Sequence, residues 1–250
     1  MQIEEIRTKL NELKLLGMAQ GLDSQLCTSR AAELSFEERF GLLVDCELTF
    51  RENRRLKTLL KMARLKMQAD VNDVYYNSSR NISRPHIASL AMCNWIGRGI
   101  NVAITGPTGT GKTYLACALG HQACLKGYPT QFYKFGLLLD ELEQARIDGS
   151  LRSRLKFVNR CALLIVDDFG IKGRLTASEC ELFYEVLDGR NNGVGATVVT
   201  SQLPLTKWHE YLSLSNPTTA DAIMDRMITN ATKIELQGES LRPHQDVLFN

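Results

Sequence analysis

The sequence predicts an α/β fold: a parallel sheet flanked by helices around a phosphate-binding loop, preceded by a small all-helical N-terminal domain. Three observations predict it. Residues 106–113 read GPTGTGKT, set between the apolar run NVAIT (101–105) and the helical stretch YLACALGHQACLK (114–126); G-x-x-x-x-G-K-[S/T] between a strand and a helix is the P-loop of the nucleoside triphosphatases. From residue 101 onward apolar strand-like runs alternate with helical patterns, which implies a mostly parallel sheet covered on both faces. Before Pro85 there is no proline and no convincing strand, so residues 1–70 read as helices.

Taken in order, Ile3, Ile6, Leu10, Leu13 and Leu16 recur at helical spacing and Gly17 reads as a stop, giving a helix over 3–17 and a second over about 18–30. Ser35 followed by Glu38 has the spacing of a capping box and opens a third helix, which runs through Phe40, Leu43, Val44 and Leu48 toward Met67. On a helical wheel Leu56, Leu59, Leu60, Ala63 and Met67 share one side, and Arg54, Lys57, Lys61 and Arg64 the other. Across 51–66, Arg51, Arg54, Arg55, Lys57, Lys61, Arg64 and Lys66 stand against one acid, Glu52. A solvated helix face would account for this pattern. Such faces usually mix signs, however, and a surface that meets phosphates accounts for it equally.

Polar and turn residues around 77–85 mark a linker over 71–99, which ends in a packing helix at about 86–96 with Trp95 as a core or hinge anchor. The domain over 100–250 then follows, with strands expected at 101–105, 130–135, 162–166, 197–201 and 233–236 and helices at 114–126, 137–146, 177–190 and 221–230. A basic run, Arg152, Arg154, Lys156 and Arg160, precedes the third strand.

The P-loop spacing has a physical reason. Gly106, Gly109 and Gly111, with Pro107, Thr108 and Thr110 between them, let successive backbone N–H groups turn inward, and the helix beginning near Tyr114 adds partial positive charge. Lys112 reaches the β- and γ-phosphates and the Thr113 hydroxyl is suited to Mg²⁺. Asp167 and Asp168 follow the apolar run 163–166, at the end of a strand, where ligands of parallel sheets gather. Asp167 is the natural Mg²⁺ partner of Thr113, and Asp168 can orient or deprotonate an attacking water. Gln202, with Thr200 in reserve, ends the next strand and can sense the γ-phosphate. Arg226, far along the chain, has the chemistry of an arginine finger but equally of a surface ion pair with Asp221 or Asp225.

With 44% hydrophobic and 23% charged residues the composition is that of an ordinary globular protein, and no apolar run reaches the length of a membrane helix. The N-terminus lacks the apolar core of a signal peptide. Seven cysteines without a C-x-x-C pair read as buried free thiols in a reducing cytoplasm, and His86, His121, His209 and His244 share no metal-ligand spacing.

The blocks RENRRL (51–56), GPTGTGKTYLACALG (106–120), LLIVDDFG (163–170), VVTSQLPLTKWHEYL (198–212), ADAIMDRM (220–227) and LQGESLR (236–242) together resemble the IstB family. These are the ATPase helpers of IS21-type insertion sequences, relatives of the DnaC helicase loaders in the AAA+ class. The resemblance spans nearly the whole chain and implies an ATP- and Mg²⁺-dependent AAA+ ATPase. In it, 106–113 is Walker A and Asp167–Asp168 is Walker B, with Asp168 where most of the class carries Glu. Gln202 falls at the sensor-1 position, Arg226 becomes a finger reaching a neighbouring subunit, and Arg242 a sensor-2-like arginine on the nucleotide. It also implies a homo-oligomer with nucleotide at subunit interfaces that holds and deforms duplex DNA with little sequence preference and presents it to a partner transposase. The phosphate contacts would come from Arg51, Arg54, Arg55, Lys57, Lys61 and Arg64, and from Arg146, Arg152, Arg154, Lys156, Lys172 and Arg174. The alternatives are a DnaC-like loader of a replicative helicase, a P-loop kinase of a small metabolite, or a nucleotide-gated DNA-packaging scaffold.

Overall fold

A computed structural model of the chain describes residues 2–28, 33–76, 78–191 and 195–241. The chain divides into two units, Met1–Thr58 and Leu59–Asn250. The division falls inside the third helix, whereas the sequence pattern put it near residue 70.

The first unit is helical. α1 (Ile3–Glu12) and α2 (Leu16–Leu26) are joined by a tight turn in which Lys14 takes φ +59°. Gly17 therefore stops nothing; it lies in the first turn of α2. Its role is contact: a Cβ there would lie 2.5 Å from the carbonyl oxygen of Cys46, so its absence lets α2 cross α3 (Phe36–Ala63) at backbone distance. The N-terminus of α2 has no cap from its own chain neighbour Leu15. Glu47, from the middle of α3, supplies it, accepting from the N–H groups of Gly17 (2.7 Å) and Met18 (3.1 Å) while Arg51 donates to its other oxygen at 2.7 Å. Burial alone would push the Glu47 carboxyl up; the donors from Arg51, Met18 and Gly17 outweigh it and hold it below the usual range. The expected capping box is formed, with Ser35 N–H on Glu38 and Glu38 N–H on Ser35 Oγ. α3 ends at Ala63 and Arg64 takes φ +50°, so Met67, expected on the same apolar stripe, lies beyond the helix. The expected end of the second helix at Arg30 lies outside the described residues.

The second unit is built on five parallel strands, β1 (Val102–Thr105), β2 (Thr130–Lys134), β3 (Leu163–Phe169), β4 (Ala196–Ser201) and β5 (Thr232–Glu235), in the order β2-β3-β4-β1-β5. Strands covered on both faces need apolar side chains in both directions, and β1 and β4 are buried at every position. α4 (Arg84–Ala91), α5 (Asn94–Gly97) and α6 (Lys112–Leu125) cover one face over Ile104, Ile165 and Val198. α7 (Phe135–Ile147), α8 (Leu151–Asn159), α9 (Ala177–Asn191), α10 (Trp208–Ser213) and α11 (Pro217–Ile228) cover the other, around Phe135, Phe169, Phe183 and Trp208. The stretch expected as a linker is part of the first layer: Val74, Ile87, Leu90 and Trp95 are buried in it, and the Trp95 indole donates to the Leu90 carbonyl at 2.8 Å.

All seven cysteines are free; Cys27 and Cys46 are exposed and the other five buried. No helix among the described residues is long and apolar enough to cross a membrane.

Candidate nucleotide site

Parallel strands bring their carboxyl ends to one edge, and this edge gathers the P-loop, both aspartates and the end of β4. The loop leaves β1 at Gly106, whose φ of +145° is open only to glycine; a Cβ there would lie 2.2 Å from the Leu236 carbonyl oxygen. It then wraps the N-terminus of α6, where Lys112 folds back so that Nζ donates to the carbonyls of Gly106 (2.8 Å) and Pro107 (2.7 Å). A glycine-rich loop, a helix N-terminus and a buried lysine form an anion cradle.

β3 reaches farther than the apolar run suggested, and the two carboxylates lie within it. Val166 pairs with Val199 and Phe169 with Ser201, so Asp167 and Asp168 together oppose the single residue Thr200: a β-bulge. Asp168 takes φ +63° there, and its N–H donates to Thr200 Oγ1 at 3.1 Å. Asp167 is wholly buried. Its Oδ1 accepts from Thr113 Oγ1 at 2.8 Å and Thr200 Oγ1 at 2.6 Å, and its Oδ2 from Lys66 Nζ at 3.3 Å. The P-loop and the carboxyl end of β3 thus meet through one hydroxyl and one carboxylate 54 residues apart. These are hard oxygen donors of the kind Mg²⁺ prefers, and a positive charge already lies against the carboxylate, so the site fits that ion. Among the described residues no group of three or more His, Cys, Asp or Glu is placed to hold a metal ion.

Gln202 comes to the same edge, with its Oε1 accepting from Thr108 Oγ1 at 2.7 Å. Thr200, held in reserve in the sequence reading, carries more of the architecture, bonding to both aspartates. Arg226 is turned elsewhere. It lies on Asp188 (Nη2 2.7 Å, Nε 2.9 Å) and the Tyr184 hydroxyl (2.9 Å) of α9, with its guanidinium stacked 4.5 Å from the Tyr184 ring centroid, and neither Asp221 nor Asp225 is its partner. Arg242 and His244 lie outside the described residues.

Sequence reasoning missed Lys66 and Arg80. Arg80 is buried behind the loop, where it donates to the carbonyls of Thr110 and Tyr75 and leaves Nε without a partner. Beside it a cavity of about 130 Å³ is lined by Val74, Tyr75, Ile82, Tyr114, Leu115 and Leu241. The segment after β5 closes over the loop, with Leu236 N–H on Thr105 and Leu241 N–H on Gly109. No local pattern signals any of these, because each joins segments distant in sequence.

Among the basic residues Arg54, Arg55, Lys57, Lys61, Arg64, Arg152 and Lys156 are exposed. Within the chain Arg51 pairs with Glu47, Arg154 with Glu141, Lys172 with Asp140 and Glu179, Arg146 with Ser178 and Arg174 with the Leu214 carbonyl. The hydrogen bonds to Asp140 and Glu179 hold the Lys172 ammonium above its ordinary range. His209 pairs with Asp221 at 2.8 Å and His121 lies 3.9 Å from Asp70, both structural roles.

A family model described as IstB-like ATP binding protein matches residues 8–248. An insertion-sequence ATP-binding protein of Sinorhizobium fredii is 41% identical over 93% of this chain and 92% of its own length. An ATP-binding protein in an insertion sequence of Mycobacterium tuberculosis is 30% identical over 96% and 94%. Among solved structures, the DnaC helicase loader aligns with a TM-score of 0.56 at 20% identity, over 68% of this chain and 97% of that one. AMPPCP-bound DnaA from Aquifex aeolicus aligns with 0.57 at 16%, over 70% and 52%. The sheet and its helices have the AAA+ fold.

Proposed function

We propose, from the premise that this chain belongs to the IstB-like ATP binding protein family, that it is an ATPase which assembles on duplex DNA and hands that DNA to a partner transposase. The observation that carries the reading is the Thr113–Asp167 contact beneath a complete P-loop. The loop amides and Lys112 bind the triphosphate. Thr113 and Asp167 would hold Mg²⁺, which when bound neutralises charge on the phosphates. Asp168 lies at the mouth of the bulge, suited to orient the attacking water and take its proton. The apolar cavity beside Arg80 suits the base.

Gln202, tied to Thr108 of the loop, couples the phosphate end of the nucleotide to β4. Arg226 rests on Asp188 and Tyr184 until a neighbouring copy offers a nucleotide on which charge develops. The exposed basic residues of 54–64 and of α8 meet DNA phosphates, giving steep salt dependence and little sequence preference. The insertion-sequence relatives favour a transposase as partner over a replicative helicase; co-purification against each distinguishes them.

The decisive experiment is assembly on duplex DNA with a non-hydrolysable ATP analogue. Lys112→Ala is expected to abolish it, and normal assembly by that variant would overturn the coupling. Arg226→Ala is expected to keep nucleotide affinity while turnover in the assembly falls by about 10³–10⁵; equal loss of both would make Arg226 purely structural.

A further inference from the structure

Lys66 lies just beyond α3, where the left-handed Arg64 turns the chain. Its ammonium approaches Oδ2 of Asp167 at 3.3 Å. The two partners are unequal: the carboxylate has no exposure, while the lysine side chain keeps 35%. The cation enters from the surface along a short segment that is itself fixed to α6. Ala69 packs on Cys117 and Ala118, and the Tyr114 hydroxyl bonds to the Asp70 backbone at 3.4 Å. Asp167 thus meets a positive charge from its own chain, on the oxygen that Thr113 and Thr200 leave free.

We propose that Lys66 is a resident counter-ion of the Walker B carboxylate, which holds Asp167 in the metal-free protein and yields it when Mg²⁺·nucleotide enters. The inference rests on the nucleotide reading above. A wholly buried carboxylate needs a compensating charge, and leaving it alone is costly. A divalent ion and an ammonium on one carboxylate repel each other in a site of low dielectric. The lysine is the one to leave, because it bears the smaller charge and has an open route to water. Its departure removes one of the ties on residues 64–70, so the charge state of the nucleotide site reaches the segment that continues the basic helix.

The test uses the full chain and a fluorescent ATP analogue titrated with Mg²⁺, with amide hydrogen exchange over 64–70 as a second readout. Lys66→Gln is expected to lower the half-saturating Mg²⁺ concentration about fivefold, the scale of a partly exposed ion pair, while Lys66→Arg stays near the parent. In the parent, exchange over 64–70 is expected to rise with Mg²⁺·nucleotide and not with nucleotide plus EDTA; in Lys66→Gln it is raised from the start. Identical Mg²⁺ dependence in the parent and Lys66→Gln, or exchange indifferent to Mg²⁺, would overturn the inference and leave the nucleotide reading standing. Failure of the parent to bind nucleotide at all would overturn both.

Discussion

The helical unit buries the Glu47 carboxylate and the nucleotide unit that of Asp167, with Glu179 beside it in the same unit, and Glu47 and Asp167 are satisfied differently. Glu47 is held by two backbone N–H groups and an arginine one helical turn away. Asp167 is held by two hydroxyls and a lysine, all of them side chains from distant segments. Backbone donors cannot leave without unwinding a helix, so Glu47 is a fixed pin. Side-chain donors can rotate away, so Asp167 can change partners while its strand stays in register.

The strongest way to break this comparison is to damage one unit alone. Phe169→Ala removes a ring whose centroid lies 4.7 Å from that of Trp208 and 4.9 Å from that of Phe135, and should cost about 3–5 kcal/mol. Urea unfolding followed by Trp208 fluorescence and by a probe on α2 is expected to shift only the first transition. Equal shifts in both would mean that the units do not unfold separately.

A sharper and smaller cut is Thr200→Val, which takes one donor from Asp167 and the acceptor from the Asp168 N–H. It should cost about 1–3 kcal/mol, the usual effect of leaving buried polar groups unpaired, and should weaken Mg²⁺-dependent nucleotide affinity. Unchanged affinity at lowered stability would show that Thr200 supports the bulge without orienting Asp167.

The smallest effect is expected at Glu47. A carboxyl held below its unfolded value stabilises the fold above that value, and the contribution is lost as pH falls through the folded one. Thermal unfolding of the helical unit should therefore fall off on the acid side of about pH 4. Glu47→Gln should lower the melting temperature at neutral pH and flatten that acid limb; an unchanged acid limb would remove Glu47 as its cause.

What was legible in the sequence was what is contiguous. The P-loop is one uninterrupted stretch, and the capping box at Ser35 and Glu38 spans a single turn. The strands of the parallel sheet announce themselves because burial on both faces demands apolar runs. Gly17 was misread because a glycine that stops a helix and one that lets two helices touch look alike until the second helix is in view. The reach of β3 was underestimated because its last residues carry charge for the site, against the apolar rule of the ladder. Lys66 lies 101 residues from Asp167 and the Arg80 guanidinium 30 from Thr110, and no periodicity spans such gaps.

The bulge in β3 also narrows which residue position 168 tolerates. A short polar side chain bears a left-handed backbone with little strain, whereas a longer one, Glu included, gains nothing local to offset it. Exchanging Asp168 for the Glu usual in the wider class would force the chain either to keep a disfavoured rotation or to iron out the bulge and slide Phe169 off Ser201, unseating the aromatic cluster below. In this chain, then, the acid at position 168 is constrained by the pleat of a strand as much as by any chemistry it serves.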